Sequence, residues 1–152
     1  MATFNLRYDL EAPGQLPGMV ADSRLTHTVT CVAGEAINPG QPVGWDDEVL
    51  DSDAPMRGVA RFDSSLEQTD AGVVQYAEGD TVPLVSWGPV VVTTAGAVNA
   101  GEDAYVVVAT GLFTNTAGVG TTSAPVGWFE TTLTGAGSAV LFVQRQTEVG
   151  GA

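Results

Sequence analysis

The stretch Glu78-Gly79-Asp80-Thr81-Val82-Pro83-Leu84-Val85-Ser86-Trp87-Gly88-Pro89-Val90-Val91-Val92 decides the fold class of this chain. Almost every position in it is aliphatic, β-branched or a turn residue. Branched side chains fit a pleated surface, and glycine and proline supply the reversals. Glu78-Gly79-Asp80 and Trp87-Gly88 read as turns, so 81–86 and 89–94 read as two short strands. Working outward, the same grammar recurs. Residues 25–32 alternate, with Leu25, His27, Val29 and Cys31 on one side and Thr26, Thr28, Thr30 and Val32 on the other. Further strands are read at 43–45, 56–62, 73–76, 105–109, 111–114, 126–131 and 139–146. The polar run 63–72 reads as a loop or a single helical turn. No apolar period of 3.6 residues lasts beyond two turns. The expected fold is all-β, a small β-barrel or β-sandwich.

The ends read differently. Phe4, Leu6, Tyr8 and Leu10 alternate along the first residues, and Pro13-Gly14 and Pro17-Gly18 follow. Residues 1–22 therefore read as an extended N-terminal arm with one short strand. Residues 23–146 form the β-domain, and 147–152 a flexible tail. Within the domain, Ala36-Ile37-Asn38-Pro39-Gly40-Gln41 is echoed by Ala97-Val98-Asn99-Ala100-Gly101-Glu102. Each hexapeptide contains residues that tolerate positive φ and precedes a strand, so each reverses the chain. The echo implies two related β-units, about 30–92 and 93–146. Chance similarity in a chain rich in Gly, Ala and Val is the alternative.

Composition narrows the function. The 152 residues are 44% hydrophobic, enough for a self-standing core. Eighteen acidic residues face five arginines and no lysine, for a net charge of -13. Phosphate binding needs a basic footprint, so nucleic acid and anionic membranes are not expected partners. The charge fits solubility, a salt-rich habitat, or a place outside a DNA-filled shell. Cys31 is the only cysteine, so neither an intrachain disulfide nor a cysteine zinc cluster is available. The first ten residues do not read as a signal peptide, and no run approaches the ~20 apolar residues of a membrane span. Synthesis in the cytoplasm is expected.

Catalytic constellations are missing, so no catalytic, cofactor or metal residues are assigned. His27, the only histidine, lies mid-strand in this reading, about 13 Å from Cys31 by strand rise. It reads as a structural histidine, not half of a nucleophile–base pair. The acidic run Asp46-Asp47-Glu48-Val49-Leu50-Asp51-Ser52-Asp53 offers hard oxygen ligands but not the EF-hand order, and reads as a solvated loop. The glycine-rich runs lack the lysine of a phosphate-binding loop and read as hairpin tips. Trp45, Trp87 and Trp128 each flank a strand end, as rim packing or as interface anchors. Arg57 and Arg61 share one strand face and can pair with acids of this chain or of a partner. The candidate partner interface comprises Phe4, Leu6, Tyr8, Leu10, Arg57, Arg61, Trp45 and Trp87.

Three stretches resemble a known family. Ala33-Gly34-Glu35-Ala36-Ile37-Asn38-Pro39-Gly40-Gln41-Pro42-Val43 resembles the opening turn and strand of tailed-phage capsid cement (head decoration) proteins. Gly58-Val59-Ala60 resembles their recurring strand, and 78–92 is similar to their glycine-punctuated hairpin. The resemblance spans roughly 30–145. It implies a small β-barrel or sandwich and a homo-oligomer, often a trimer. Such oligomers seat on the outer surface of the major capsid protein lattice and brace the head. It implies no catalytic residues and no cofactor. The alternatives are a carbohydrate-binding or tail-associated β-module, which needs an exposed aromatic platform, and a small hydrolase using the acidic loop.

Overall fold

The computed structural model describes residues 16–21, 24–63 and 74–144. Eight strands carry the fold: β1 (His27–Val32), β2 (Pro42–Gly44), β3 (Met56–Ala60), β4 (Thr81–Thr93), β5 (Asp103–Val107), β6 (Leu112–Thr114), β7 (Gly127–Phe129) and β8 (Ser138–Val143). They form one antiparallel, curled sheet in the order β2-β3-β4-β8-β7-β5-β6, with β1 also paired to β4. No helix occurs among the described residues. The all-β expectation therefore holds. Most strands are a few residues shorter than the sequence implies, because the ends fall in turns.

Two strand readings are corrected. Residues 74–76 form no strand, and Tyr76 makes only an isolated bridge to Ile37. Trp87-Gly88 is not a turn: β4 runs for 13 residues straight through it. The bend needed there is made inside the strand. Gly88 has φ 125°, a conformation that side chains resist. The β1–β4 register slips at the same place, with His27 opposite Trp87 and Thr28 opposite Val85. A bulge of this kind turns a strand without ending it.

Pro83 inside β4 is tolerated for a local reason. Arg61 N–H donates to the Pro83 carbonyl at 2.8 Å, but Pro83 has no N–H to return. The Tyr76 hydroxyl donates to the Arg61 carbonyl instead, at 2.6 Å.

The two echoing hexapeptides build the same turn. Asn38 N–H donates to Gln41 Oε1 at 2.8 Å and Asn99 N–H to Glu102 Oε1 at 2.6 Å. Gly40 and Gly101 have φ 88° and 91°. Gly40 N–H donates to the Ala60 carbonyl, and Gly101 N–H to that of Phe129. The surrounding ladders match too. Pro42 and Val43 oppose Val59 and Gly58, as Asp103 and Ala104 oppose Trp128 and Gly127. Val29 opposes Leu84 on β4, as Val90 opposes Leu141 on β8. β4 belongs to both sets, since its first half pairs with β1 and β3 and its second half with β8.

Two apolar clusters lie under the sheet. The larger gathers Met56, Val59, Val85, Val90, Phe113, Phe129 and Leu141. The smaller gathers Cys31, Ile37, Val43, Tyr76, Val82 and Leu84. Burying this many aliphatic and aromatic side chains, at about 1.5–3 kcal/mol each, drives folding without a disulfide. Of the stretch read as an arm, the structure describes only 16–21. These residues lie on the chain's own β4: Gly18 N–H donates to the Val91 carbonyl, and Val91 N–H to that of Met19. Phe4, Leu6, Tyr8 and Leu10, the run 64–73 and the tail lie outside the described residues.

Candidate functional site

The outer face of β4, β7 and β8 carries an aromatic group. Trp128 and Phe142 are cross-strand partners, and their rings stack at 4.6 Å with planes 6° apart. Trp87 meets Phe142 edge-on at 5.4 Å. Both geometries suit the ring quadrupoles. Arg24 lies over the Phe142 ring, 5.6 Å from its centroid, and forms a two-pronged ion pair with Glu130, one prong at 2.7 Å. Trp87 remains 43% exposed at the margin of this group. A rigid aromatic body with a fixed guanidinium has little conformational entropy left to lose.

A second station sits at the acidic loop. Arg57 pairs with Asp47 at 2.5 Å and stacks over Trp45 at 5.3 Å from its ring centroid. Asp47 holds φ 65°, and its carbonyl accepts from Gly34 N–H at 2.9 Å. The acids of the loop do not converge. Asp46 accepts from Glu48 N–H, and Asp53 accepts from Ser123 N–H. Glu35, beside the loop, accepts from Val49 N–H. Crowding by Asp46 pushes the exposed Glu48 carboxyl above its usual range. Among the described residues no three metal-ligating side chains gather.

His27 opens β1 and is exposed, not mid-strand as the sequence reading had it. Its Nδ1 lies 3.0 Å from Ser86 Oγ, and that hydroxyl donates to the His27 carbonyl at 3.1 Å. The Ser86 hydroxyl thus bridges the His27 ring and the His27 carbonyl and ties the start of β1 to β4. Cys31 is buried, and desolvation, with Asp47 nearby, raises its thiol pKa, so the reactive thiolate is disfavoured.

Trp87 therefore joins an aromatic group, and Trp45 joins Arg57. Arg61 lies one residue beyond β3 and is exposed. The sequence does not single out Phe142, Arg24 or Glu130, nor bring Trp128 to them. Their proximity depends on the β4–β8 and β7–β8 registers, which no local pattern announces.

The fold is an all-β protein with two arginine–aromatic groups fixed on its surface. The family model described as "Structural cement protein (E217 gp24/Pam3 gp6)" matches residues 4–145, and the chain belongs to this family of phage cement proteins. It is accordingly a non-enzymatic component of the virion capsid that stabilises the phage head. A search of curated proteins finds no match. Among solved structures, a chain titled "The capsid of Myoviridae Phage XM1" has the same fold. It is 18% identical, with TM-score 0.69, over 85% of this chain and 89% of that one.

Proposed function

We propose that this protein seats on the outer surface of the major capsid protein lattice as a homo-oligomer, a trimer being the form the family resemblance implies. The supporting observation is a pair of exposed large apolar side chains beside the start of β1. Leu25 is 88% exposed and Trp87, opposite His27, 43%, and the Leu25 carbonyl lies beside Gly88, the residue after Trp87. Neighbouring exposed apolar side chains call for a covering partner more than scattered ones do. The net charge of -13 fits an outer position, away from packaged polyanion. Trp87 and Trp45 are the anchors we assign to the partner contact. Arg57 and Arg61 supply its positive charge, and Phe4, Leu6, Tyr8 and Leu10 its apolar arm. The test mixes the chain with undecorated heads, followed by co-sedimentation and thermal disruption of the particles. Bound chain should raise the disruption temperature, and Trp87→Ala with Leu25→Ser should weaken binding at least tenfold. A chain that pellets no better with heads than without them would defeat the proposal.

A further inference from the structure

β1 is an edge of the sheet. Among the described residues it pairs with β4 alone. Val29 and Cys31 lie in register with Leu84 and Val82, and Ala33 N–H donates to the Asp80 carbonyl. Antiparallel ladders alternate, so Thr28, Thr30 and Val32 turn their N–H and C=O groups away from β4. On that side Arg57 Nη2 donates to the Thr30 carbonyl at a long 3.4 Å, and just past β1 Gly34 N–H donates to the Asp47 carbonyl at 2.9 Å. Edge strands are ordinarily protected by charges, prolines or bulges along their outer side. Positions 28–32, Thr-Val-Thr-Cys-Val, carry neither charge nor proline.

The matched halves of the sheet show what such an edge accepts. The counterpart of β1 is the second half of β4, with Val90 in the place of Val29. That edge is closed by an added antiparallel segment. Gly18 N–H donates to the Val91 carbonyl at 2.7 Å, Val91 N–H to Met19 at 2.8 Å, and Ala21 N–H to Pro89 at 3.3 Å. On β1 the corresponding groups are the Thr30 carbonyl, the Thr30 N–H and the Thr28 carbonyl, and these face outward. Leu25 and Val32 flank them with exposed apolar side chains.

We propose that β1 receives residues 3–10 of a second copy as an added antiparallel strand, bonded to Thr28 and Thr30. Thr3-Phe4-Asn5-Leu6-Arg7-Tyr8-Asp9-Leu10 alternates polar and apolar residues at the period a strand needs. This segment precedes residues 16–21, which already lie on β4, and the five residues 11–15 connect the two. The docking of this segment gives the self-association assigned above a location, and rests on that part of the proposal.

The test uses full-length chains in solution, without heads. Thr30→Pro removes the outward N–H but no bond to β4, so the sheet survives. Leu6→Pro with Tyr8→Pro breaks the donor segment and leaves β1 intact. Far-UV circular dichroism checks that each variant is folded. Sedimentation should show the parent as an oligomer and each variant at the 15.6 kDa of a single chain. Mixing the two variants should restore a mixed species, because one keeps the donor and the other the acceptor. A monomeric parent, a Thr30→Pro chain that associates like the parent, or a mixture that stays monomeric would each overturn the inference. A segment docking on its own β1 gives that last result. Head binding is measured separately, so a parent that associates but does not bind heads defeats the head-surface reading and leaves this one standing.

Discussion

Trp128 lies flat on Phe142 across the β7–β8 pair, ring planes 6° apart, while Trp87 from β4 touches the same phenyl ring edge-on. Phe142 thus joins three strands on the outer face of the sheet. Phe142→Ala should cost about 2–4 kcal/mol in urea unfolding and flatten the near-ultraviolet dichroism of both tryptophans. Arg24→Ala should cost under about 1 kcal/mol, because its ion pair with Glu130 is solvent-screened. Equal losses from the two changes would contradict this ordering.

Gly127 is required by contact. A Cβ there would lie 2.0 Å from the Phe142 carbonyl oxygen, inside the β7–β8 ladder. Backbone cannot yield that far, so Gly127→Ala should cost more than about 3 kcal/mol or prevent folding. Gly135→Ala, with nothing within 4 Å, should stay within about 0.5 kcal/mol of the parent. Thermal melts of both variants check the contrast.

Tyr76 should set an alkaline limit on stability. Burial, then Asp63, pushes its phenol up to about 12 from 10.0. The folded state therefore favours the protonated phenol. Its contribution is complete below about pH 10 and is lost as pH climbs toward 12, up to about 2–3 kcal/mol. Absorbance titration should show one of the three tyrosines ionising late and together with unfolding. Tyr76→Phe should lose about 1 kcal/mol at neutral pH, from the bond to Arg61, and should flatten the alkaline limb.

Glu102 should give a matching acid effect. Hydrogen bonds from Asn115, then from Asn99 N–H, hold its carboxyl below the usual 4.5. A depressed folded pKa stabilises above the unfolded value, and that benefit is lost as pH falls through the folded one. Gln41 occupies the same place in the first turn and cannot titrate. Glu102→Gln should therefore lose the carboxylate's contribution at neutral pH, match the parent in acid, and so show a shallower acid limb in urea midpoints. An unchanged acid limb would contradict this role.

The all-β class and the two matching turns were legible because both are local. Period-2 alternation marks strands, and Asn-x-Gly marks a reversal, whatever the rest of the chain does. The missing tools of catalysis were legible from residue counts, and the cement family from short motifs around 33–43 and 78–92. Trp87-Gly88 misled because glycine permits positive φ both in a turn and at a bulge, and only the pairing of β4 with both β1 and β8 distinguishes them. The aromatic group of Trp87, Trp128 and Phe142 and the open edge at Thr28 and Thr30 were not legible. A strand's sequence says which side chains share a face, but not which strand lies beside it or which edge stays open. Those follow from long-range register, which the whole core fixes at once through the burial of residues such as Phe129 and Leu141.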